Sequence, residues 1–125
     1  MTSLSSIPPL VLVATGGALG ACGRYLGVSG ALALGARAEV GTWGVNVVGC
    51  FFLGVLISRV SDPSLRLLLG TGVLGGFTTF STFSVDTLVL VAEQRLGHAA
   101  LYVVGSVAVG LFGCALGQWA GGALP

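Results

Sequence analysis

Apolar residues dominate the chain in long stretches that short polar segments separate. Four stretches can be distinguished, at about residues 8–29, 41–60, 65–92 and 99–121. Each has the ~20 residues that an α-helix needs to cross the roughly 30 Å hydrocarbon core of a bilayer. The connections between them are short and leave no room for a second domain. The pattern therefore predicts an all-α membrane protein, with residues 1–125 forming a single transmembrane domain of four helices.

The third stretch departs from a regular helix near its middle. Gly70, Gly72, Gly75 and Gly76 each lower helix propensity by about 1 kcal/mol relative to alanine, and hydroxyl residues follow them directly. Such hydroxyls can bond backbone groups that a break sets free. We therefore predict that the third helix is broken at Gly75–Gly76. Because broken backbone within a bilayer must be buried in protein or line a watery cavity, this region is the candidate functional site.

Two phenylalanines follow the predicted break, interleaved with hydroxyl residues. Phe80 and Phe83 are three residues apart and so share one face of a helix. The simpler interpretation of this spacing is that both rings pack against a neighbouring helix. The alternative is that their positive ring edges stabilise a dehydrated anion, helped by hydroxyl donors from Thr79, Ser81 and Thr82. The spacing by itself leaves both open.

Two polar side chains interrupt the first two stretches. Asn46 lies about one turn inside an otherwise apolar helix, where an unpaired amide costs several kcal/mol. It must therefore face either a partner helix or a wet vestibule. Arg24, near the far end of the first stretch, either snorkels to the interface or supplies positive potential at the mouth of an anion path.

The last stretch carries a polar strip and a row of glycines. Tyr102, Ser106 and Gly110 recur at four-residue intervals and therefore lie on one helix face, where they either pack or line a path. Small residues at intervals of three or four allow helices to approach closely in lipid. Such glycines are found in the last stretch at Gly113, Gly117 and Gly121, and in the first at Gly16, Gly20, Gly23 and Gly27.

Composition excludes several classes of function. Only 7% of residues are charged and the net charge is +1, which offers no basic surface for nucleic acid. The chain has a single histidine, and its acids and bases do not converge on one site, so we predict no enzymatic activity and no catalytic residues. The three cysteines show no metal-ligand spacing. The classes of function that remain are transport and structural assembly.

The arginines are balanced between the two predicted sides of the membrane. Arg59 and Arg66 fall on the side of the termini, and Arg37 and Arg95 fall on the other. Because arginine and lysine bias normally fixes orientation, this balance permits insertion both ways. Opposite insertion would in turn permit an antiparallel homodimer.

Three motifs are distinctive: GGALGACGRY in the first stretch, GTWGVNVVGCFFLG in the second and GVLGGFTTFSTFSVD in the third. Together they resemble the CrcB/Fluc family of fluoride channels. The fourth stretch is similar only in general character. The resemblance implies a passive, fluoride-specific channel that exports fluoride from the cytoplasm and so limits its toxicity. It also implies a multi-pass, dual-topology antiparallel homodimer in the cell inner membrane, with a structural sodium ion at its centre.

The resemblance also assigns roles to individual residues. The backbone carbonyls of Gly75 and Thr78 would hold the sodium ion, which is not transported, and Arg24 would set the vestibule electrostatics. The fluoride pore would be formed by Asn46, Phe80, Phe83, Ser81, Thr82, Tyr102 and Ser106. Two positions depart from the family pattern: Asp86 stands where a glutamate is usual, and Gly110 where a hydroxyl residue is expected.

Two other classes compete with a channel. A small dual-topology, proton-coupled multidrug exporter needs a carboxylate in its first span, where this chain has Arg24 and no acid. A packing or assembly subunit is compatible with the glycines. That class predicts that Phe80→Ile and Asn46→Ala leave any ion flux unchanged.

Overall fold

The computed structural model describes residues 4–123, and every regular element within them is helical. In chain order these elements are a 3-10 turn at Leu4–Ser6, α1 at Pro9–Ala33, α2 at Ala38–Arg59, α3 at Pro63–Arg66, a π-helix (π1) at Leu67–Leu74, α4 at Gly75–Phe77, α5 at Phe80–Ala92 and α6 at Leu96–Ala120. Four helical spans are long and apolar enough to cross a membrane, the third being the 30-residue run Pro63–Ala92. The prediction of four membrane-spanning helices is confirmed.

The connection between α1 and α2 is shorter than predicted. The sequence placed a connection at about residues 30–40, but only residues 34–37 separate the two helices. Glu39, expected in that connection, lies in the first turn of α2. Gly35 makes the tight turn possible because its φ of +84° is accessible to glycine. The carbonyls of α1's last turn are bonded by the N–H groups of Gly35 and Ala36.

The turn between α5 and α6 is also tighter than the sequence indicated. Gln94 adopts a left-handed conformation with φ of 59°, and Arg95 N–H donates back to Leu90 O at 3.0 Å. Helices commonly end in this way, although glycine is the usual residue at the left-handed position. As a result α6 begins at Leu96, and His98, predicted in a loop, lies inside the helix.

The first half of the third span packs on α1 through glycines. Gly16 and Gly20 of α1 are buried. A Cβ atom at Gly16 would lie 2.9 Å from Gly72 Cα, and one at Gly20 would lie 2.8 Å from Phe77 N. Backbone therefore fills the space of the missing side chains, and the predicted role of this glycine stripe in close packing is confirmed at these two positions.

Helices α2 and α6 pack in the same way. A Cβ atom at Gly54 would lie 3.0 Å from Gln118 N, and one at Gly117 would lie 3.0 Å from Val55 N. A Cβ atom at Gly113 would lie 3.9 Å from Phe51 N, and one at Gly121 would lie 2.9 Å from Ser58 Oγ, so the contacts advance together along both helices and α2 and α6 run parallel. The predicted close packing of the last span's glycines is therefore confirmed.

One end of the bundle is closed by an ion-pair network. Arg37 Nε lies 2.7 Å from Glu39 Oε1, and Arg37 Nη2 lies 2.6 Å from Glu93 Oε2. Arg95 Nη1 joins the same two carboxylates at 3.6 and 3.4 Å. The hydrogen bond to Glu39 raises the pKa of Arg37 above its ordinary value, so the Arg37 guanidinium stays charged within the network. Arg37 and Arg95 therefore share an end, as predicted.

The opposite end is closed by arginines that bond helix carbonyls. Arg59 Nη2 donates to Ala120 O at 3.2 Å, and Arg66 Nε donates to Val60 O at 2.6 Å. Cations are favourable at helix C-termini because the last carbonyls lack helical donors. The predicted division of the arginines between two ends is confirmed.

Candidate functional site

The third span is broken after Phe77, in the middle of the run, but not at Gly75–Gly76 as the sequence indicated. Both glycines are helical and form most of α4. The extended residues are Thr78, with φ −79° and ψ 155°, and Thr79, with φ −150° and ψ 117°. The prediction of a break near the middle is confirmed, and its predicted position is corrected by about three residues.

The glycines before the break serve packing and helix widening. A Cβ atom at Gly76 would lie 3.0 Å from Gly17 Cα, so glycine is required there for contact with α1. Over Leu67–Leu74 the chain winds as a π-helix, and Gly75 N–H donates to Gly70 O, five residues back. Glycine lowers the cost of such widening, but the helix continues through it.

The Asn46 side chain bonds the broken segment directly. Asn46 Nδ2 donates to Thr79 O at 3.0 Å, and Thr79 N donates to Asn46 Oδ1 at 2.7 Å. The half-buried amide therefore has partners on the third span, which satisfies the requirement inferred from its position in an apolar helix. No local pattern in the sequence indicates that these partners are backbone groups.

The Thr79 hydroxyl is the centre of a small polar cluster. Thr79 Oγ1 accepts from Thr82 N at 3.2 Å, which caps the start of α5. The same hydroxyl donates to Thr82 Oγ1 at 3.0 Å and lies 3.2 Å from Ser81 Oγ. Only 6% of Thr79 is exposed. The hydroxyls of this segment therefore bond to each other and to the helix start.

An open groove of about 320 Å³ lies beside the break. Four of the seven predicted pore residues line it, namely Asn46, Phe80, Phe83 and Ser106. The two predicted sodium-site residues, Gly75 and Thr78, line it as well. Its lining within the described residues does not include Ser81, Thr82 or Tyr102. The fold therefore brings together both predicted sites but not the whole predicted polar track.

The Phe83 ring is adjacent to the rings of both Phe80 and Tyr102. The ring centroids of Phe80 and Phe83 are 5.4 Å apart, and those of Phe83 and Tyr102 are 5.2 Å apart. Phe83 packs against a core of Leu90, Ala99 and Tyr102. Phe80, in contrast, is 80% exposed. The prediction that the two phenylalanines share a face is confirmed, but packing within this chain explains only one of them.

Ser106 carries an unpartnered hydroxyl. Its Oγ atom is buried and has no hydrogen-bond partner among the described residues 4–123. A buried hydroxyl without a partner costs roughly 1–3 kcal/mol, so such a group calls for an explanation. Since Ser106 also lines the groove, a ligand in the groove is a suitable acceptor for its proton.

Arg24 lies deeper in its helix than predicted. Because α1 continues to Ala33, Arg24 is about 14 Å from that end of the helix at 1.5 Å per residue. It is half-buried. Among residues 4–123 the structure shows no carboxylate paired with it, so its positive potential is not cancelled within the chain.

Asp86 is near the polar strip of α6. Tyr102 Oη donates to Asp86 Oδ2 at 3.4 Å, which is a long contact. The Tyr102 hydroxyl therefore turns toward a carboxylate rather than into the groove. This explains why Tyr102 contributes only its ring to the row of phenylalanines.

The break supplies backbone oxygens in place of acidic metal ligands. No group of three or more His, Cys, Asp or Glu suitable for a metal ion occurs within residues 4–123. Thr78 N still donates to Leu74 O at 3.0 Å, but Thr79 N, which would bond Gly75 O in a continued α-helix, is taken by Asn46. The Gly75 carbonyl thereby loses its helical donor. Carbonyl oxygens are suitable ligands for sodium at such breaks.

Two groove-lining residues with a hydroxyl or thiol group, Cys50 and Thr79, were not among the predicted pore or sodium-site residues. Cys50 lines the groove, whereas the cysteine spacing in the sequence had only excluded a metal site. Thr79 was recognised as a hydroxyl donor but not as the cap and hydrogen-bond centre of the segment. The Thr-x-x-Thr spacing of Thr79 and Thr82 was the available signal, because a threonine commonly caps the N–H three residues later.

Comparison with known proteins identifies the family. The family model described as "CrcB-like protein, Camphor Resistance (CrcB)" matches residues 11–118. The chain belongs to this CrcB family. Membership confirms the resemblance based on the three motifs, and with the four apolar helices it makes the chain a multi-pass membrane protein.

Several relatives of the chain carry the name "Fluoride-specific ion channel FluC". The chain is 44% identical to that of Methylobacillus flagellatus over 110 residues, covering 82% of this chain and 85% of the relative. It is 46% identical to that of Novosphingobium aromaticivorans over 112 residues, covering 84% and 89%. It is 47% identical to that of Cereibacter sphaeroides over 115 residues, covering 90% and 93%. These names agree with the prediction that the chain is not an enzyme.

Proposed function

We propose that this chain is a fluoride-specific ion channel that conducts fluoride passively out of the cytoplasm. The observation that carries the proposal is its 44–47% identity, over 82–90% of its length, to proteins of that name. The geometry of the groove supports it, because two aromatic rings and the unpartnered Ser106 hydroxyl line the groove where the third span is broken. A passive path also agrees with the absence of a carboxylate from the first span, which a proton-coupled exporter would need.

In the proposed path, fluoride passes from wet vestibule to groove while its water shell is replaced. Arg24 raises the local anion concentration, since a positive charge in a cleft focuses the field. Asn46 meets the ion at the groove, because an amide nitrogen has two N–H donors and Thr79 takes one of them. The edges of Phe80 and Phe83 and the free Ser106 hydroxyl then stabilise the dehydrated ion.

The remaining predicted pore residues act beside this path. Ser81 and Thr82 are bonded to Thr79 in the observed arrangement. Thr82 Oγ1 accepts from Thr79 and keeps its own proton for an anion, whereas the Ser81 hydroxyl must turn away from Thr79 before it donates to one. Tyr102 supports Phe83 through ring contact. We assign these three residues to the polar track with Ser106, next to the phenylalanines.

The functional unit proposed here is a homodimer. A broken backbone is tolerated at membrane depth only where protein or a watery cavity covers it, yet Gly75 is exposed beside the break. Phe80 is likewise 80% exposed although it is followed by an inward-packed Phe83. A second copy covering this face would bury both groups and would close the open groove.

The proposed dimer is antiparallel and lies in the cell inner membrane. Two arginines lie at each end of the bundle, and those at one end are paired with glutamates. Neither end therefore has the strong excess of positive charge that fixes orientation. This balance permits two copies to insert in opposite orientations, as the proposed dimer requires.

A structural sodium ion fits the break. The Gly75 carbonyl has lost its helical donor to Asn46, and Thr78 is extended with its carbonyl beyond the end of α4. Gly75 and Thr78 of each protomer would hold the ion, which when bound neutralises the clustered carbonyl dipoles and joins the two breaks. The donor set suits a hard cation without any acidic residue.

The test is fluoride efflux from liposomes that contain the purified protein, followed with a fluoride electrode. We expect fluoride release driven by its gradient and accelerated by a potassium ionophore, because a passive anion path is limited by charge build-up. Chloride release under the same conditions is the control and should stay at the level of empty liposomes.

Two outcomes would contradict the proposal. Absence of fluoride efflux from folded protein would remove the channel function. Proton release driven by a lipophilic cation, without fluoride efflux, would instead favour a multidrug exporter. The dimer is tested separately by cross-linking in liposomes, and its topology by accessibility of tagged termini, where a single orientation contradicts the antiparallel arrangement.

A further inference from the structure

The link between Asn46 and Thr79 involves both polar atoms of one side chain and both backbone groups of one residue. Asn46 Oδ1 accepts from Thr79 N at 2.7 Å, and Asn46 Nδ2 donates to Thr79 O at 3.0 Å. The two residues are 33 positions apart and lie on different spans. A paired contact of this kind fixes orientation as well as distance, because neither bond can swing without breaking the other.

This contact replaces two hydrogen bonds that helices would otherwise use. In a continued α-helix Thr79 N would bond Gly75 O, and at a regular helix start Thr79 O would accept from Phe83 N. Thr79 N is bonded to Asn46 Oδ1, and Asn46 Nδ2 bonds Thr79 O. Asn46 therefore keeps α4 from propagating into α5 and leaves the Gly75 carbonyl without its helical donor.

Burial makes the contact costly to lose. Thr79 is 6% exposed, and an unsatisfied buried backbone group costs roughly 1–3 kcal/mol. Without Asn46, Thr79 N and Thr79 O have no fixed partner on the second span, so the Thr79 amide opens more often. The position of the break is then no longer held, and Gly75 O is no longer fixed where a ligand could use it.

We propose that Asn46 is a positioning residue for the cation site at the break, and that through it the groove and that site are coupled. This inference rests on the proposed function. Asn46 lines the groove and, by capturing Thr79 N, presents the Gly75 carbonyl together with the neighbouring Thr78 carbonyl to sodium. One side chain thus shapes the anion groove and the cation site behind it.

The test compares how much sodium the wild-type protein and Asn46→Leu need for stabilisation. A ligand that binds only the folded protein raises its melting temperature as its concentration rises, and the half-maximal concentration is the readout. Asn46→Leu removes both hydrogen bonds to Thr79, and a net loss of about 1.4 kcal/mol or more should raise that concentration at least about tenfold. Ser106→Ala, which lines the same groove without bonding the break, should leave it unchanged.

Hydrogen exchange at the Thr79 amide gives a second readout that does not depend on flux. Asn46→Leu should speed this exchange by at least about tenfold, because the amide loses its acceptor. Asn46→Asp retains an acceptor for Thr79 N but loses the donor to Thr79 O, so it should restore only part of the protection. If Asn46→Leu does not yield folded protein, Asn46→Ser, whose side chain is too short to reach Thr79, carries the same expectation.

The outcomes separate this inference from the proposed function. An unchanged sodium requirement in folded Asn46→Leu, whether or not flux is lost, overturns the positioning role. Unchanged Thr79 exchange overturns it equally. Wild-type protein that conducts fluoride but shows no stabilisation by sodium overturns both the sodium site and the coupling, whereas wild-type protein that is stabilised by sodium but does not conduct fluoride removes the channel function alone.

Discussion

The half of the third span before the break packs through its backbone, whereas the half after it presents side chains. From residue 63 to residue 77 the chain lies against α1 where glycines allow backbone contact, as between Gly16 and Gly72. In α5 the Phe80 ring is 80% exposed and hydroxyls bond one another around Thr79. The first half, from the start of α3 to the end of α4, has 15 residues, and the second half, α5, has 13.

This difference indicates a division between frame and working surface. Backbone contact allows little adjustment, because interiors are close-packed and a single added methyl group is felt. The second half depends less on its own chain for cover, so its exposed groups remain available to an ion or a partner copy. The break between the halves permits each to follow its own packing.

The largest expected effect is at the frame. Gly20→Ala places a methyl group against Val73 and Phe77 backbone atoms, and we expect it to destabilise the fold by about 3 kcal/mol or to prevent folding. The measurement is unfolding of purified protein in mixed micelles. Gly30→Ala is the matched control on α1, since a Cβ atom there meets nothing within 4 Å. Equal stability of the two variants would contradict the close packing of α1 on π1.

The next largest effect is at the working surface and appears in flux. Phe80→Ile should lower fluoride efflux about a hundredfold, equivalent to about 2.7 kcal/mol in the barrier, while the fold is retained because Phe80 is largely exposed. Phe112→Ile, which alters an exposed ring of α6 outside the groove lining, serves as control. Wild-type efflux in Phe80→Ile would favour the assembly-subunit interpretation.

A smaller effect is expected at the cap of α5. Thr79→Val keeps the side-chain shape but removes the hydroxyl that Thr82 N donates to. Because Thr79 is buried, the cost should reach about 2 kcal/mol, the upper range for a helix cap. Unfolding in mixed micelles measures it, and Ser84→Ala, whose hydroxyl bonds only its own helix at Phe80 O, is a suitable control.

The smallest effect is expected at the cap of the first half. Asp62 Oδ1 accepts from Leu65 N at 2.7 Å on an exposed surface, so Asp62→Ala should cost about 1 kcal/mol. The neighbouring Ser61→Ala should change nothing measurable. A larger loss for Asp62→Ala than for Thr79→Val would reverse the proposed ranking of exposed and buried caps.

Much of the architecture was accessible from the sequence, with errors where tertiary contacts decide. The spans, the glycine stripes and the division of arginines between two ends were predicted, because they depend on composition and on periodicity along single helices. The connection at residues 34–37 was predicted too long because the small residues near it continue a helix as readily as they end one. Gly35 was the signal for its true end.

At the site, residue types were predictable but their partners were not. The phenylalanine pair and the polar nature of Asn46 followed from spacing and burial in an apolar helix. The bonds of Asn46 join residues 33 positions apart, and no local pattern contains that information. Ser81, Thr82 and Tyr102 carry the hydroxyl groups expected of a polar track, yet the groove lining does not include them.

The sequence alone determined that this chain spans a membrane four times and carries an irregular third span, because hydrophobic length and glycine content act locally. Only the tertiary structure decided where that span breaks. Glycine lowers the energetic cost of a break at several positions. The hydrogen bond from Thr79 N to Asn46 and the packing of Gly76 on α1 determine at which position the helix breaks. The physical reason is that a backbone break in an apolar setting needs new hydrogen-bond partners, and those come from another helix.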